Sequence, residues 1–332
     1  MKILIAPLNW GLGHAARCVP LIRHYLEQGD EVVLAGDGDS FTLLKRTFPD
    51  LRTVDLPPLV LRYTANSQQR GFYLRAVWTL MRFTIADHYY LRQILAREHF
   101  DRVISDNRFG LFSRDTHSVY ITHQLYPVLP KRLRLLQPLA RAVHACIYKR
   151  YAEVWVPDYA DPSHNLSGEL SHGGRFDRRA KYIGPLSRFT PLHPTPYTLH
   201  PIHPTPYTTL AILSGLEPQR TMFEGELLQR FAKSSELVLL VRGKLSDPHT
   251  VIKRGNITII PSITDDELIA VVQGVHTIVA RSGYSTIMDL AALGVLDKAE
   301  LHPTPGQSEQ EYLVSWHCSN PNQLLDFANV IK

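Results

Sequence analysis

Cysteine is scarce: Cys18, Cys146 and Cys318 lie far apart in a chain of 332 residues, with no metal-ligand spacing between them. That excludes a disulfide framework and points to a reducing, cytoplasmic setting. Long hydrophobic runs are absent too, since no stretch reaches the ~18–20 apolar residues of a membrane span. The opening MKILIAPLNW holds one lysine and a short apolar run before glycine, so it reads as a first strand and not as a signal peptide. Acidic residues are thin in the first half. Residues 1–150 carry 21 Lys and Arg against 12 Asp and Glu, a net +9, whereas the remainder nets −4 within an overall +5. A basic first half suits an anionic partner, although an uneven surface with no partner gives the same count. With 44% hydrophobic and 20% charged residues the composition is that of a soluble globular protein, and 332 residues exceed one ordinary core.

Strand-like and helix-like segments alternate along the chain. KILIAPL, EVVLAG, RTVDL, RVISD, SVYIT and EVWVP read as strands of a parallel sheet. A helix is expected from about Ala15 to Gln28, with Val19, Ile22, Tyr25 and Leu26 on its apolar face and Gly29 as its stop; a second helix runs from a Ser40 cap to Phe48. The alternation breaks at HPTPYTLHPIHPTPYT, where HPTPYT occurs twice. Proline at that density makes an extended linker, which explains His193, His200 and His203 without a metal. Beyond it TLAILSG, LVLLVRG, ITIIPS and TIVARSG are strands, and Thr264 with Glu267 forms a capping box. The chain is therefore α/β, with two doubly wound halves joined by a linker. The first is expected over residues 1–190, the linker over 191–207 and the second over 208–332.

Four polar turns follow strands. Gly11-Leu12-Gly13-His14-Ala15-Ala16 fits G-x-G-x-x-A, and Asp37 ends the second strand where a ribose-binding acid of a dinucleotide fold would lie. A nicotinamide enzyme is open on that half alone. His14 argues otherwise, because a bulky imidazole after the second glycine suits a site where a hydroxyl is oriented or deprotonated. In the second half, Ser214, Gly215 and Arg220 are placed to reach a diphosphate. Ser282, Gly283 and Ser285 open a helix in which Asp289 can accept from a ribose diol, and Gln307, Glu309 and Gln310 open another. Three such turns enclose one nucleotide.

With these residues in view, the chain resembles a GT-B glycosyltransferase of family 28, the family of the bacterial transfer of N-acetylglucosamine to a lipid-linked muramoyl peptide. GLGHAAR is similar to its first glycine loop, ITHQ to its acceptor-side strand end, ARSGYSTIMDL to its donor helix with Asp289 in place of Glu, and PGQSEQEYL to its donor loop. SDNRFGLF holds only Gly110 where the family has a second glycine-rich loop, and SGLEPQR replaces its usual donor turn.

The resemblance implies two Rossmann-like doubly wound domains facing each other across a cleft, and an inverting, metal-independent transfer of a hexose or N-acetylhexosamine from a UDP-sugar, with no cofactor, to a lipid-linked or glycan acceptor. Ser214, Gly215, Arg220, Arg281, Ser282, Gly283, Ser285, Thr286, Asp289, Gln307, Glu309 and Gln310 would hold the donor. Gly11, Gly13, His14, Asn107, His123 and Gln124 would line the acceptor side, with His14 and then Asp106 as base. The basic, aromatic-rich stretches Arg70–Arg97 and Lys131–Arg150 fit peripheral contact with the cytoplasmic face of a membrane, or equally packed helices with a solvated basic face. No nucleic-acid motif is present. A UDP-sugar 2-epimerase of the same fold and a catalytically inactive nucleotide- or glycan-binding subunit are the rival readings.

Overall fold

Residues 1–58, 70–174, 179–189, 205–244, 248 and 250–320 are described by the computed structural model; for 70–76 only the backbone is. The chain divides into two compact units, Met1–Leu192 and His193–Lys332. The segment expected as a linker lies outside the described residues up to residue 204, and with it His193, His200 and His203.

The first unit is built on a sheet in the order β3-β2-β1-β4-β5-β6-β7. Its strands are β1 (Lys2–Pro7), β2 (Glu31–Gly36), β3 (Arg52–Asp55), β4 (Arg102–Asp106), β5 (His117–Ile121), β6 (Glu153–Val156) and β7 (Ala180–Tyr182). Every pairing is parallel. Parallel strands are covered on both faces, which is why the centre of the sheet reads as continuous apolar runs. Ile3 and Ile5 pack with Val19 and Ile22 of α1 (Gly13–Glu27) on one face. Leu4 and Ala6 pack on the other with Leu91 of the long helix α3 (Arg70–Arg97). Each such fully buried Leu or Ile contributes ~1.5–3 kcal/mol.

Between them lies α2 (Gly38–Thr47), whose N-cap is Asp37 and not Ser40. Ser40 sits inside the first turn and donates its hydroxyl to the Gly11 carbonyl at 2.8 Å. Its competence as a cap is thus spent on holding the first glycine turn against α2. Gly110 has a comparable task. A Cβ there would lie 2.2 Å from the Thr84 carbonyl oxygen and 2.6 Å from Cβ of Asp87, so only glycine lets the turn after β4 lie flat on α3.

The second unit carries a sheet in the order β10-β11-β9-β8-β12-β13. Its strands are β8 (Thr209–Ile212), β9 (Val238–Val241), β10 (Ile252–Arg254), β11 (Ile257–Ile260), β12 (Thr277–Arg281) and β13 (Ala299–His302). Pairing is parallel except for the edge hairpin of β10 with β11. The capping box expected at Thr264 and Glu267 opens α7 (Asp265–Gly274). Three other helices follow the strand ends: α6 (Gln219–Phe231), α8 (Tyr284–Ala292) and α9 (Ser308–Ser319). Both units are therefore doubly wound. In each, strand order reverses about one central pair, β1 with β4 and β8 with β12, and ligands of open α/β sheets bind in the crevice beyond such a reversal.

Candidate functional site

At the reversal of the first unit the chain turns sharply after β1. Gly11 adopts φ +82°, a conformation open to glycine at little cost, and α1 begins at Gly13. The next residue, His14, is thereby aimed at the end of β4. Its Nδ1 lies 3.2 Å from Oδ1 of Asp106. Asp106 is completely buried, while the His14 side chain keeps 14% of its surface exposed. Of the two groups expected to serve as base, only His14 reaches solvent.

Asp106 is held from behind by a residue that the sequence pattern did not single out. Arg17, one helical turn after His14, donates Nε to Oδ2 of Asp106 at 2.6 Å and Nη2 to Oδ1, and is itself 1% exposed. The same guanidinium reaches Nδ1 of His14 at 2.9 Å and Nδ1 of His123 at 3.2 Å. Burial alone pushes the Asp106 carboxyl up, but Arg17 and His14 outweigh it and hold the group below the usual carboxylate range. Burial and then Arg17 lower His14 from its ordinary value, against the opposing pull of Asp106. The ring is therefore neutral at pH 7 and Asp106 is ionised. Asp106, the second residue expected as base, is a sealed carboxylate paired with Arg17, and of this pair of candidates it is His14 that stands towards solvent. Cys18 touches the same carboxylate at 3.8 Å, and burial pushes its thiol well up, which leaves no thiolate nucleophile.

The remaining acceptor-side residues surround this cluster. His123 is 4% exposed, and Nε2 of Gln124 lies 3.4 Å from its Nε2. Asn107, at φ +60°, accepts the Tyr120 hydroxyl at 2.7 Å, so its side-chain oxygen is engaged in the fold. Asp37 is not a ribose-binding acid. It accepts Nη1 of the fully buried Arg108 at 2.6 Å and belongs to a second charge cluster.

At the reversal of the second unit, the turns after β8, β12 and β13 are laced together. Arg281 donates to the carbonyl of Pro303 at 2.7 Å and lies over the Phe223 ring at 3.9 Å from its centroid. Ser282 is sealed and donates its hydroxyl to the carbonyl of Gln310 at 3.0 Å. Arg281 and Ser282, both expected to touch a ligand, are here bonded to backbone carbonyls of the third turn and of α9. Arg220 is likewise engaged, with Glu217 at 2.6 Å and the Gly243 carbonyl at 3.2 Å.

What these supports present is half-buried or exposed: Ser214, Gly215 at φ +97°, Gly283, Ser285, Thr286, Asp289, Gln307 and Glu309. Gly283 sits beside Gln310, whose Nε2 would lie 3.9 Å from an added Cβ. Gln310 in turn donates to Oε1 of Gln307 at 2.7 Å. The structure thus brings together the second and third of the turns expected to hold a donor, and Arg220 ties the first to the chain just after β9. No N-cap side chain closes α8 or α9, in contrast to α7 with its capping box and to α6, where the Glu217 carboxylate accepts the Thr221 N–H at 3.2 Å. Uncapped helix starts present amide N–H groups and positive dipole ends.

No family model matches the chain. An uncharacterised glycosyltransferase of Methanosarcina acetivorans is 22% identical over 94% of this chain and 82% of its own length. Among solved structures, the glycosyltransferase of kitacinnamycin superposes with a TM-score of 0.61 at 14% identity, over 99% of this chain and 94% of that one. The calicheamicin glycosyltransferase CalG4 gives 0.60 at 14%, over 99% and 94%. Phytolacca americana UGT2, complexed with UDP-2-fluoro-glucose and pterostilbene, gives 0.60 at 14%, over 100% and 89%. At that identity the likeness is one of fold, and the fold is the GT-B fold of two Rossmann-like domains.

Proposed function

We infer that the protein is a glycosyltransferase that moves a hexose or N-acetylhexosamine from a UDP-sugar to a hydroxyl of a lipid-linked or glycan acceptor, with inversion and without a metal. The carrying observation is His14: a neutral imidazole, open to solvent and backed by a sealed aspartate, at the reversal of a doubly wound sheet. Such a ring takes the acceptor proton as the oxygen attacks the anomeric carbon from the face opposite the leaving diphosphate. In the second unit the uncapped starts of α8 and α9 hold and stabilise that diphosphate, with the Ser214 hydroxyl and the Gly215 amide beside it. Asp289 and the Gln307–Gln310 pair take the ribose and base. UDP is chosen because the fold-mate from Phytolacca binds a UDP-sugar.

A thermal-shift panel of nucleoside diphosphates and their sugars tests the donor. A ligand at a hundred times its Kd stabilises the folded state by about 2.7 kcal/mol, and UDP and one UDP-sugar are expected to give the largest shift. Equal shifts from all nucleotides, or none, would sink the reading. An isomerised sugar nucleotide in the absence of any acceptor would turn it to the epimerase.

The lipid-linked acceptor rests on surface chemistry of the first unit. A cavity of about 360 Å³ is lined by Pro57, Trp78, Arg82, Phe83 and Ala86, and Phe83 packs on Leu8 and Trp10 of the first loop. Farther along, a 3-10 turn at Lys131–Leu136 leads into α4 (Gln137–Tyr148). Leu135 is 97% exposed, and Leu136, Leu139 and Val143 continue the apolar stripe at helical spacing. No acid lies between Asp115 and Glu153, while Lys131, Arg132 and Arg134 flank the stripe. Apolar side chains ringed by cations fit the surface of an anionic bilayer. Flotation with anionic vesicles should recover the protein, and a Leu135→Glu, Leu139→Glu variant should bind about tenfold less. Equal binding by the variant, or none by the native chain, would remove the bilayer from the proposal.

A further inference from the structure

His14 stands beside a carboxylate, and that neighbour alone would spoil it as a base. A buried aspartate 3.2 Å from an imidazole draws a proton onto the ring, and an imidazolium has no lone pair to offer. The groups facing the ring are Arg17 from its own helix, Asp106 from the end of β4 and His123 from the turn after β5. Among these Arg17 is the fixed cation, and it is sealed from water.

We propose that Arg17 is a positioning residue for His14: its guanidinium neutralises Asp106 and donates to Nδ1 of the imidazole, so that the ring stays uncharged and oriented beside a carboxylate. The hydrogen-bond inventory supports this. A guanidinium only donates, and each Nη carries two hydrogens. Nη2 of Arg17 has two partners, Oδ1 of Asp106 and Nδ1 of His14. Nε takes the other carboxylate oxygen, and Nη1 meets Nδ1 of His123. In the free protein the His14 ring then carries its proton on Nε2. For Nε2 to serve as base the ring must change tautomer: the Nε2 proton leaves to solvent while a proton from solvent is taken up on Nδ1, Arg17 gives up its bond to Nδ1, and the new Nδ1–H donates to Oδ1 of Asp106, 3.2 Å away. Until then Arg17 holds both ends of the pair, without touching substrate. The catalytic consequence rests on the glycosyl-transfer reading; the effect on the ring does not.

The test is made on the full chain labelled with ¹⁵N-histidine, His14 being assigned by the signal lost in His14→Gln. Long-range ¹H–¹⁵N spectra report tautomer and charge through a pH titration. The expected result is a neutral Nε2–H ring in the native protein, with a midpoint below the ordinary ~6.5. In Arg17→Met the midpoint should rise by about 1–2 units, as an unopposed carboxylate would demand, while Arg17→Lys, which keeps the charge, should stay within about half a unit of native. A native ring protonated on Nδ1, or a midpoint unmoved in Arg17→Met, overturns the proposal. If Arg17→Met does not fold, Asp106→Asn decides, because Arg17 acting alone must lower the midpoint further; an unchanged or raised value overturns it. The acid limb of the pH–rate profile should follow the same shifts. Spectral shifts as expected with no sugar transferred by any variant would defeat the transferase reading and leave this one standing.

Discussion

Replacing His14 by alanine is expected to slow glycosyl transfer by about 10²–10⁴-fold while donor binding stays within about twofold of native. The asymmetry follows from where the ring stands. It is the solvent-reaching member of a cluster whose other parts, Arg17, Asp106 and His123, are all less than a tenth exposed. The turns proposed to hold the donor, meanwhile, belong to the other unit. Steady-state rates with a UDP-sugar and its acceptor measure the first quantity, and calorimetric titration of UDP the second. The native pH–rate profile gives the sign of the ionisation. Activity needs the neutral ring, and burial and Arg17 lower the pH at which the ring charges. The rate should therefore hold through neutrality and fall on acidification with a midpoint below that of an ordinary histidine. A His14→Ala enzyme that keeps a tenth or more of native activity, or one that loses rate and UDP affinity together, would show that proton removal is done elsewhere.

Much of this site is legible in the sequence because its local rules are strong. The run KILIAP can only be a doubly covered strand, and the glycine after it is needed for the positive φ that points His14 at the crevice. The capping box at Thr264 follows from two residues three apart. Long-range pairing is what the pattern does not carry. GLGHAAR displays Arg17 in plain view, but its burial depends on an aspartate 89 residues later. Asp37 occupies the place of a ribose acid, yet Arg108, 71 residues on, claims it. The same holds for Arg281 and Ser282. Their position after β12 is right for a ligand, but their hydrogen bonds go to backbone carbonyls of the third turn and α9. The short strands Ala180–Tyr182, Ile252–Arg254 and Ala299–His302 were missed for a related reason. They lie towards the sheet edges, where half-buried residues give no continuous apolar run.

Arg17 and Arg108, both buried in the first unit, separate function from stability, and Arg108 should behave as the opposite of Arg17. Its guanidinium is bound by both oxygens of Asp87 on α3, at 2.7 and 3.1 Å, by Asp37 at 2.6 Å and by the carbonyl of Pro57 at 3.1 Å. Phe83 lies 4.7 Å beneath it. One cation thus joins the end of β4 to α3, to the cap of α2 and to the chain after β3. Arg108→Met leaves two buried carboxylates unpaired and should cost about 3–5 kcal/mol, a fall in Tm of roughly 10 °C for a unit of this size. His14→Ala, which leaves the Arg17–Asp106 pair intact, should shift Tm far less. The loss should also depend on pH in a stated direction. Burial pushes Asp87 up to about 6 even against the pull of Arg108. A carboxyl raised above its unfolded value of ~3.9 contributes stability that is complete below that value and is lost as pH rises through about 6. Without Arg108 the carboxyl rises further, so the deficit of Arg108→Met is largest above pH 7 and shrinks towards pH 5. Melting curves of native and variant protein at both pH values measure it. A constant deficit would mean that Asp87 does not titrate in this range, and an Arg108→Met protein that melts normally yet transfers no sugar would move Arg108 from scaffold to site.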